Sequence, residues 1–225
     1  MIYSIAIDGP AGSGKSTIAK KLAKDLAFTY VDTGAMYRAI AIWALENTPD
    51  INDEENISSR IDEVNIELDY KDGEQQVILN GENVTDRLRL ESTGKAASAI
   101  SKQRMVREKL VDIQQKTAKE QSVIMDGRDI GTKVLPNAFL KIFMTASPEV
   151  RAKRRFDELM MKGEDCDYEE ILQGVKDRDH ADETRAVSPL KPAEDAIILD
   201  TSRMSETEVA GKIMALFEER KGEKI

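Results

Sequence analysis

Cysteine and histidine each occur once in this chain, as Cys166 and His180. A single thiol excludes an intrachain disulfide and argues against a cysteine-based metal centre. A single imidazole removes histidine-rich metal sites and argues against a Ser-His-Asp triad. Both residues are read as surface or satisfied side chains. No apolar run approaches the ~20 residues of a membrane-spanning helix. The N-terminus enters a strand-like pattern without a charged n-region, so no secretory signal is read there and a cytoplasmic location is expected. Basic charge is also scarce: 33 Lys and Arg against 42 Asp and Glu leave a net charge of −9. Nucleic-acid binders usually present a basic surface, so a polymeric anion is disfavoured as partner. A small anion needs only a local cluster of arginines. Internal repeats and low-complexity segments are absent, and nothing suggests an obligate interface, so a monomer is expected.

What is present is enough for a core. The 225 residues are 40% hydrophobic and 33% charged, which suits one compact domain with an elaborated insert, or two small domains. "IYSIAI" (2–7) reads as a buried strand. From Lys15, Ile18, Leu22 and Leu26 recur at helical spacing. "FTYVD" (28–32) is a second strand, followed by a helix over about 35–45. "SVIMD" (122–126), "FLKIFMTA" (139–146) and "AIILD" (196–200) are three further apolar strands alternating with helical stretches. Continuous apolar strands joined by helices predict a five-stranded parallel sheet covered on both faces, an α/β fold. Helix starts are expected at Ser147-Pro148, at Asp167 with Glu170, and at Ser205 with Glu208. In the last helix Val209, Ile213, Leu216 and Phe217 form a stripe expected to pack on the sheet. Residues 60–94 break the alternation: two short alternating strands flank the turn "KDGE", and Asn80-Gly81 marks another turn. A small antiparallel insert is expected there, with a helix-rich return from about 94 to 119. The expected organisation is a core of 1–59, 95–147 and 186–225, the insert at 60–94 and a helical lid at 148–185.

"GPAGSGKS" (9–16) matches G-x-x-x-x-G-K-[ST] between a strand and a helix. Gly9, Pro10, Ala11, Gly12, Ser13 and Gly14 would wrap a phosphate with inward N–H groups at a helix N-terminus. Lys15 would reach the β- and γ-phosphates of a nucleoside triphosphate, Ser16 would ligate Mg²⁺, and Thr17 would lie near the α-phosphate. The N-K-x-D of a GTPase and the L-S-G-G-Q of an ABC-type ATPase are both missing, which leaves phosphoryl transfer to a small acceptor as the remaining large class.

Such transfer needs positive charge around the moving group and a grip on the acceptor. Candidates are Arg38, Arg107, Arg128, Arg178 and Arg185. Arg151, Arg154 and Arg155 are spaced to share one helix face, resembling a mobile cover. Arg38 follows the second strand and Arg128 the third, "DGRDIG" (126–131). With the P-loop after the first strand, all three are expected at one sheet edge, where parallel sheets hold ligands.

Together "DGPAGSGKST", "VDTGAMYRA", "DGRDIGT", "KIFMTAS", "RAKRR" and "RDHADETRAVSPL" resemble the bacterial cytidylate kinase family, in the same order, from residue 2 to about 201. Thr33 stands where some relatives carry serine, which keeps the hydroxyl. The resemblance implies ATP-dependent phosphorylation of CMP and dCMP in pyrimidine nucleotide metabolism. It implies that Arg38, Arg128 and Arg178 hold the acceptor phosphate and that Asp182 and Arg185 contact the ribose. Ser98, Arg107 and Asp129 would read the cytosine, Thr33 and Tyr37 would line the acceptor pocket, and Arg151 and Arg155 would reach ATP from the lid. Lys15, Arg128, Arg178 and Arg155 are the residues expected to carry catalysis. Two alternatives stay open on the sequence: a kinase for another small acceptor, such as a different nucleoside monophosphate or shikimate, and a slowly hydrolysing nucleotide switch.

Overall fold

The computed structural model describes residues 1–71 and 73–223. Asp72, in the expected "KDGE" turn, lies outside the described residues. In chain order the elements are β1 (Ser4–Asp8), α1 (Lys15–Leu26), β2 (Thr29–Asp32), α2 (Thr33–Asn47), α3 (Glu54–Arg60), β3 (Ile66–Lys71), β4 (Glu74–Leu79) and β5 (Glu82–Asn83). They continue with α4 (Glu91–Ile100), α5 (Arg104–Glu120), β6 (Val123–Gly127), β7 (Leu140–Thr145), α6 (Pro148–Met161), α7 (Tyr168–Thr184), β8 (Ile197–Asp200) and α8 (Glu206–Gly222). The main sheet has the order β2-β6-β1-β7-β8. β1 runs parallel to β6 and to β7, and β7 runs parallel to β8. The expected five-stranded parallel sheet is therefore present. The chain divides into two compact units, 1–29 with 121–225, and 30–120.

In the first unit the central strands are apolar and buried on both faces. Ile5, Ala6 and Ile7 of β1 and Val123, Ile124 and Met125 of β6 are fully buried. Four aromatic rings gather at the end of β1 opposite the P-loop. Tyr3, Phe28 and Phe139 surround Phe217 with ring centroids 5.4–5.8 Å from it. That geometry is edge-to-face, and it docks α8 by its Val209, Ala210, Ile213 and Phe217 side. Leu216, expected in the same stripe, is half-buried at its margin. The register puts Asp8 opposite Gly127 and Thr145 opposite Asp200, so the C-terminal strand ends carry the acids and glycines of the motifs.

The second unit holds the antiparallel insert. β3 pairs β4 and β4 pairs β5, so a third short strand extends the expected two. Ile66, Leu68 and Tyr70 alternate with exposed Glu67 and Asp69, as a half-buried strand requires. Asn80 and Gly81 both adopt positive φ, 49° and 86°, in the tight turn that Asn-Gly favours. Tyr70 donates its hydroxyl to the Tyr30 carbonyl, and the Gln75 side chain accepts from the Asp32 N–H. These bonds tie the insert to the end of β2. α2 starts on Asp32, whose carboxylate accepts from Ala35 N–H at 3.0 Å.

Candidate functional site

The loop 9–14 leaves β1 and enters α1 by adopting backbone conformations that side chains resist. Gly9, Gly12 and Gly14 have φ of 149°, 76° and 89°. A Cβ at Gly9 would lie 1.9 Å from the Met144 carbonyl oxygen, so no other residue fits there. Lys15 is buried, and its ammonium donates to the Pro10 carbonyl at 2.9 Å. Thr201, just past β8, donates its hydroxyl to the Ser13 carbonyl at 3.3 Å and pins the loop from the far side. The Ser13 hydroxyl is buried with no hydrogen-bond partner among the described residues. Ser16 and Thr17 sit in the exposed first turn of α1. The Ser16 hydroxyl donates to the Asp126 carboxylate at 2.8 Å, which joins the loop to the end of β6.

Burial lowers the Lys15 ammonium to a pKa of about 7, and the neighbouring Arg128 and Arg178 push the same way against Asp126 and Asp8. Cations and carboxylates thus act on Lys15 together, and burial is the largest influence on it.

Arg128 follows Gly127 and donates through Nε to Asp182 of α7 at 2.9 Å. Arg185 approaches the other Asp182 oxygen at 3.9 Å and donates to the Ser188 carbonyl. The structure therefore brings Arg128, Asp182 and Arg185 together, although 54 positions separate Arg128 from Asp182. Asp129 is buried in the same turn. Arg178 lies exposed on α7.

Arg151 is buried at the start of α6 and engages three partners at once. It donates to the Ala146 carbonyl, to the Ala11 carbonyl in the P-loop, and bidentately to Asp179 of α7 at 2.5 and 2.8 Å. Arg154 donates to the Thr201 carbonyl at 2.9 Å. Arg155 is outside this cluster: it is exposed and pairs with Glu158 at 2.9 Å. The helical spacing of the three arginines did not bring them to one partner. A cavity of about 380 Å³ opens between the P-loop and the two helices, lined by Pro10, Phe143, Ser147, Arg151, Asp179 and Asp200 among others.

In the 30–120 unit, Thr33 is buried at the start of α2, while Tyr37 and Arg38 are half-buried one turn on. The Arg107 guanidinium of α5 lies 5.3 Å from the centre of the Tyr37 ring, a cation–π contact. Arg107 also donates to the Ser101 carbonyl at 2.9 Å, and Ser98 is half-buried on α4.

Asp8 and Asp179 have no role in the motif-based reading. Asp8 closes β1 and accepts from Ile130 N–H at 2.8 Å and Gly131 N–H at 2.7 Å. Nothing in its local spacing names a partner so far along the chain. Asp179 had a usable signal: it stands three residues before Asp182, so both share one face of α7.

The chain matches the family model described as cytidylate kinase over residues 5–219. A cytidylate kinase of Caldicellulosiruptor bescii is 51% identical over 214 residues, covering 95% of each chain. One from Bacillus subtilis (strain 168) is 48% identical over 218 residues, covering 96% of this chain and 97% of the relative. Among solved structures, an uncharacterized protein from Eubacterium ventriosum aligns with a TM-score of 0.52 at 13% identity, covering 96% and 98% of the two chains, a likeness of fold alone.

Proposed function

Because the chain belongs to the cytidylate kinase family, we infer that it transfers the γ-phosphoryl group of ATP to the phosphate of CMP, giving ADP and CDP. The observation that carries the chemistry is the glycine loop with Lys15 buried in it, joined by the Ser16–Asp126 hydrogen bond to the strand end that carries Arg128. It supports a site made for joining two polyanions, with N–H groups and an ammonium for one and a guanidinium for the other. The transfer is direct and in line, without a phosphoenzyme. The CMP phosphate oxygen is already ionised near neutral pH, so no side chain needs to take its proton. Catalysis then rests on positioning and on charge.

In this reading Lys15 follows the charge on the transferring group, and Arg128, oriented by Asp182, holds the acceptor phosphate. Asp129 accepts from the cytosine amine. Uracil would turn a carbonyl towards that carboxylate, and a buried polar mismatch discriminates strongly. Mg²⁺ fits the oxygen donors at the loop: the Ser16 hydroxyl, already bonded to Asp126, would hold it, and the ion would neutralise phosphate charge. Among the described residues no cluster of three or more His, Cys, Asp or Glu forms a protein-only cage. Such a cage is not needed where nucleotide phosphates supply most ligands. Arg151 ties the P-loop to α6 and α7 and so links the loop to helices that would close over ATP and exclude water. dCMP is accepted as a second substrate.

An acceptor panel tests this. ADP release with ATP should be stimulated by CMP and dCMP, weakly by UMP, and not by AMP or shikimate. Arg128→Ala should lower turnover with CMP by about a hundredfold or more while ATP binding, read by equilibrium titration, survives. Slow ATP hydrolysis that CMP leaves unchanged would point to a nucleotide switch. Unchanged CMP kinetics in Arg128→Ala would remove that residue from the acceptor site.

A further inference from the structure

The turn carrying Arg128 and Asp129 continues as one turn of π-helix, Ile130–Val134. Such turns are rare and collect at functional sites. The Asp129 carbonyl accepts from Lys133 and Val134, and the Ile130 carbonyl accepts from Leu135. The first N–H groups of any helix have no partner within it. Here those of Ile130 and Gly131 are both taken by one carboxylate, that of Asp8.

Asp129 occupies the cap position of this turn and is of a type that ordinarily caps its own helix. Its side chain makes no capping hydrogen bond to the turn. The cap comes instead from the end of the neighbouring strand, 122 and 123 positions away in sequence. Gly131 permits the approach: a Cβ there would lie 3.3 Å from an Asp8 oxygen and 3.2 Å from the Lys141 side chain. Lys141 is itself buried under the turn, donating to the Pro136 carbonyl and to Asp195. The ionisable groups that act on Asp8 are Asp129, unfavourably, and Lys15, favourably.

We propose that Asp8 is a positioning residue for base selection: by capping the 130–134 turn from across the sheet, it keeps the Asp129 carboxylate off its own backbone and turned to the acceptor base. This rests on the reading of Asp129 as the partner of the cytosine amine. An ionised Asp8 has lone pairs for both N–H groups. Asparagine has one acceptor oxygen and an amide that would meet the second N–H donor to donor. One backbone donor would then be orphaned. The Asp129 carboxylate, at the cap position, is placed to take it and would leave the base.

The test compares kcat/KM for CMP and UMP at saturating ATP in the wild type, Asp8→Asn, Asp129→Ala and the double variant. Asp8→Asn should lower the CMP-to-UMP ratio about tenfold, the scale of one lost buried hydrogen bond; any effect through Lys15, on which Asp8 also acts, would weaken both acceptors alike and leave the ratio unchanged. Added to Asp129→Ala, it should lower the ratio no further, because the two act through one carboxylate. Gly131→Ala, which crowds the Asp8 oxygen while keeping the carboxylate, should lower the ratio in the same sense and serves if Asp8→Asn fails to fold. Equal losses with CMP and UMP in Asp8→Asn would show a merely structural role and overturn the proposal. So would two effects that multiply in the double variant. If Asp129→Ala alone leaves the ratio unchanged, the base-reading assignment itself fails and the proposal falls with it; if Asp129→Ala lowers the ratio and Asp8→Asn does not, only the proposal fails.

Discussion

At the scale of single residues, Asp8 sets two opposed effects against each other. Burial pushes its carboxyl from 3.8 up to about 6, and the N–H groups of Gly131 and Ile130 pull it back. The folded chain thus holds a proton on Asp8 that the unfolded chain has already lost between about pH 4 and pH 6. Folding stability from this group is highest below that window and falls as the pH rises through it, by about 3 kcal/mol in all. Asp8→Asn removes the dependence. Urea unfolding of the wild type and the variant from pH 4 to 7 should give curves that converge or cross across the window, and parallel curves would contradict the burial cost. The glycines and Lys15 of the P-loop were legible, because their spacing is itself the signal. The capping role of Asp8 was not, since a carboxylate at a strand end says nothing of which backbone it will meet.

At the scale of elements, three helix starts with local caps were legible. Ser147 accepts from Val150 N–H, Asp167 from Glu170 N–H, and Ser205 with Glu208 makes a reciprocal capping box. Ser205→Ala should lower stability by about 1 kcal/mol and leave CMP turnover at the wild-type level; thermal melts and a rate assay read the two separately. A loss of turnover would tie α8 to the site in a way its position does not suggest. α3 was not read from the sequence, although Asp53 caps it and Glu54, Glu55 and Arg60 suit its two ends. Its apolar contribution is a single buried residue, Ile57, too little for periodicity to register. The π-turn was illegible for a different reason: its first donors are satisfied by another strand.

At the scale of the molecule, a chain of net charge −9 needs only a few local cations for the proposed polyanionic substrates. Ligands that bind only the folded state stabilise it by mass action. A non-hydrolysable ATP analogue and CMP, each at a hundred times its dissociation constant, should each add about 2.7 kcal/mol, and UMP at the same concentration should add less. Thermal shifts measure this, and a shift with the analogue but none with CMP would remove the acceptor assignment. The sequence by itself determined the α/β class, the five strands, the P-loop and the family, because periodicity, caps and motif spacing are properties of neighbouring residues. Only the tertiary structure decided that Asp182 orients Arg128, that Arg151 spends its donors on Ala11 and Asp179, and that Asp8 caps the turn beside Asp129. Those partners lie far apart in the chain, and strand register and helix packing, not local spacing, select which donor meets which acceptor.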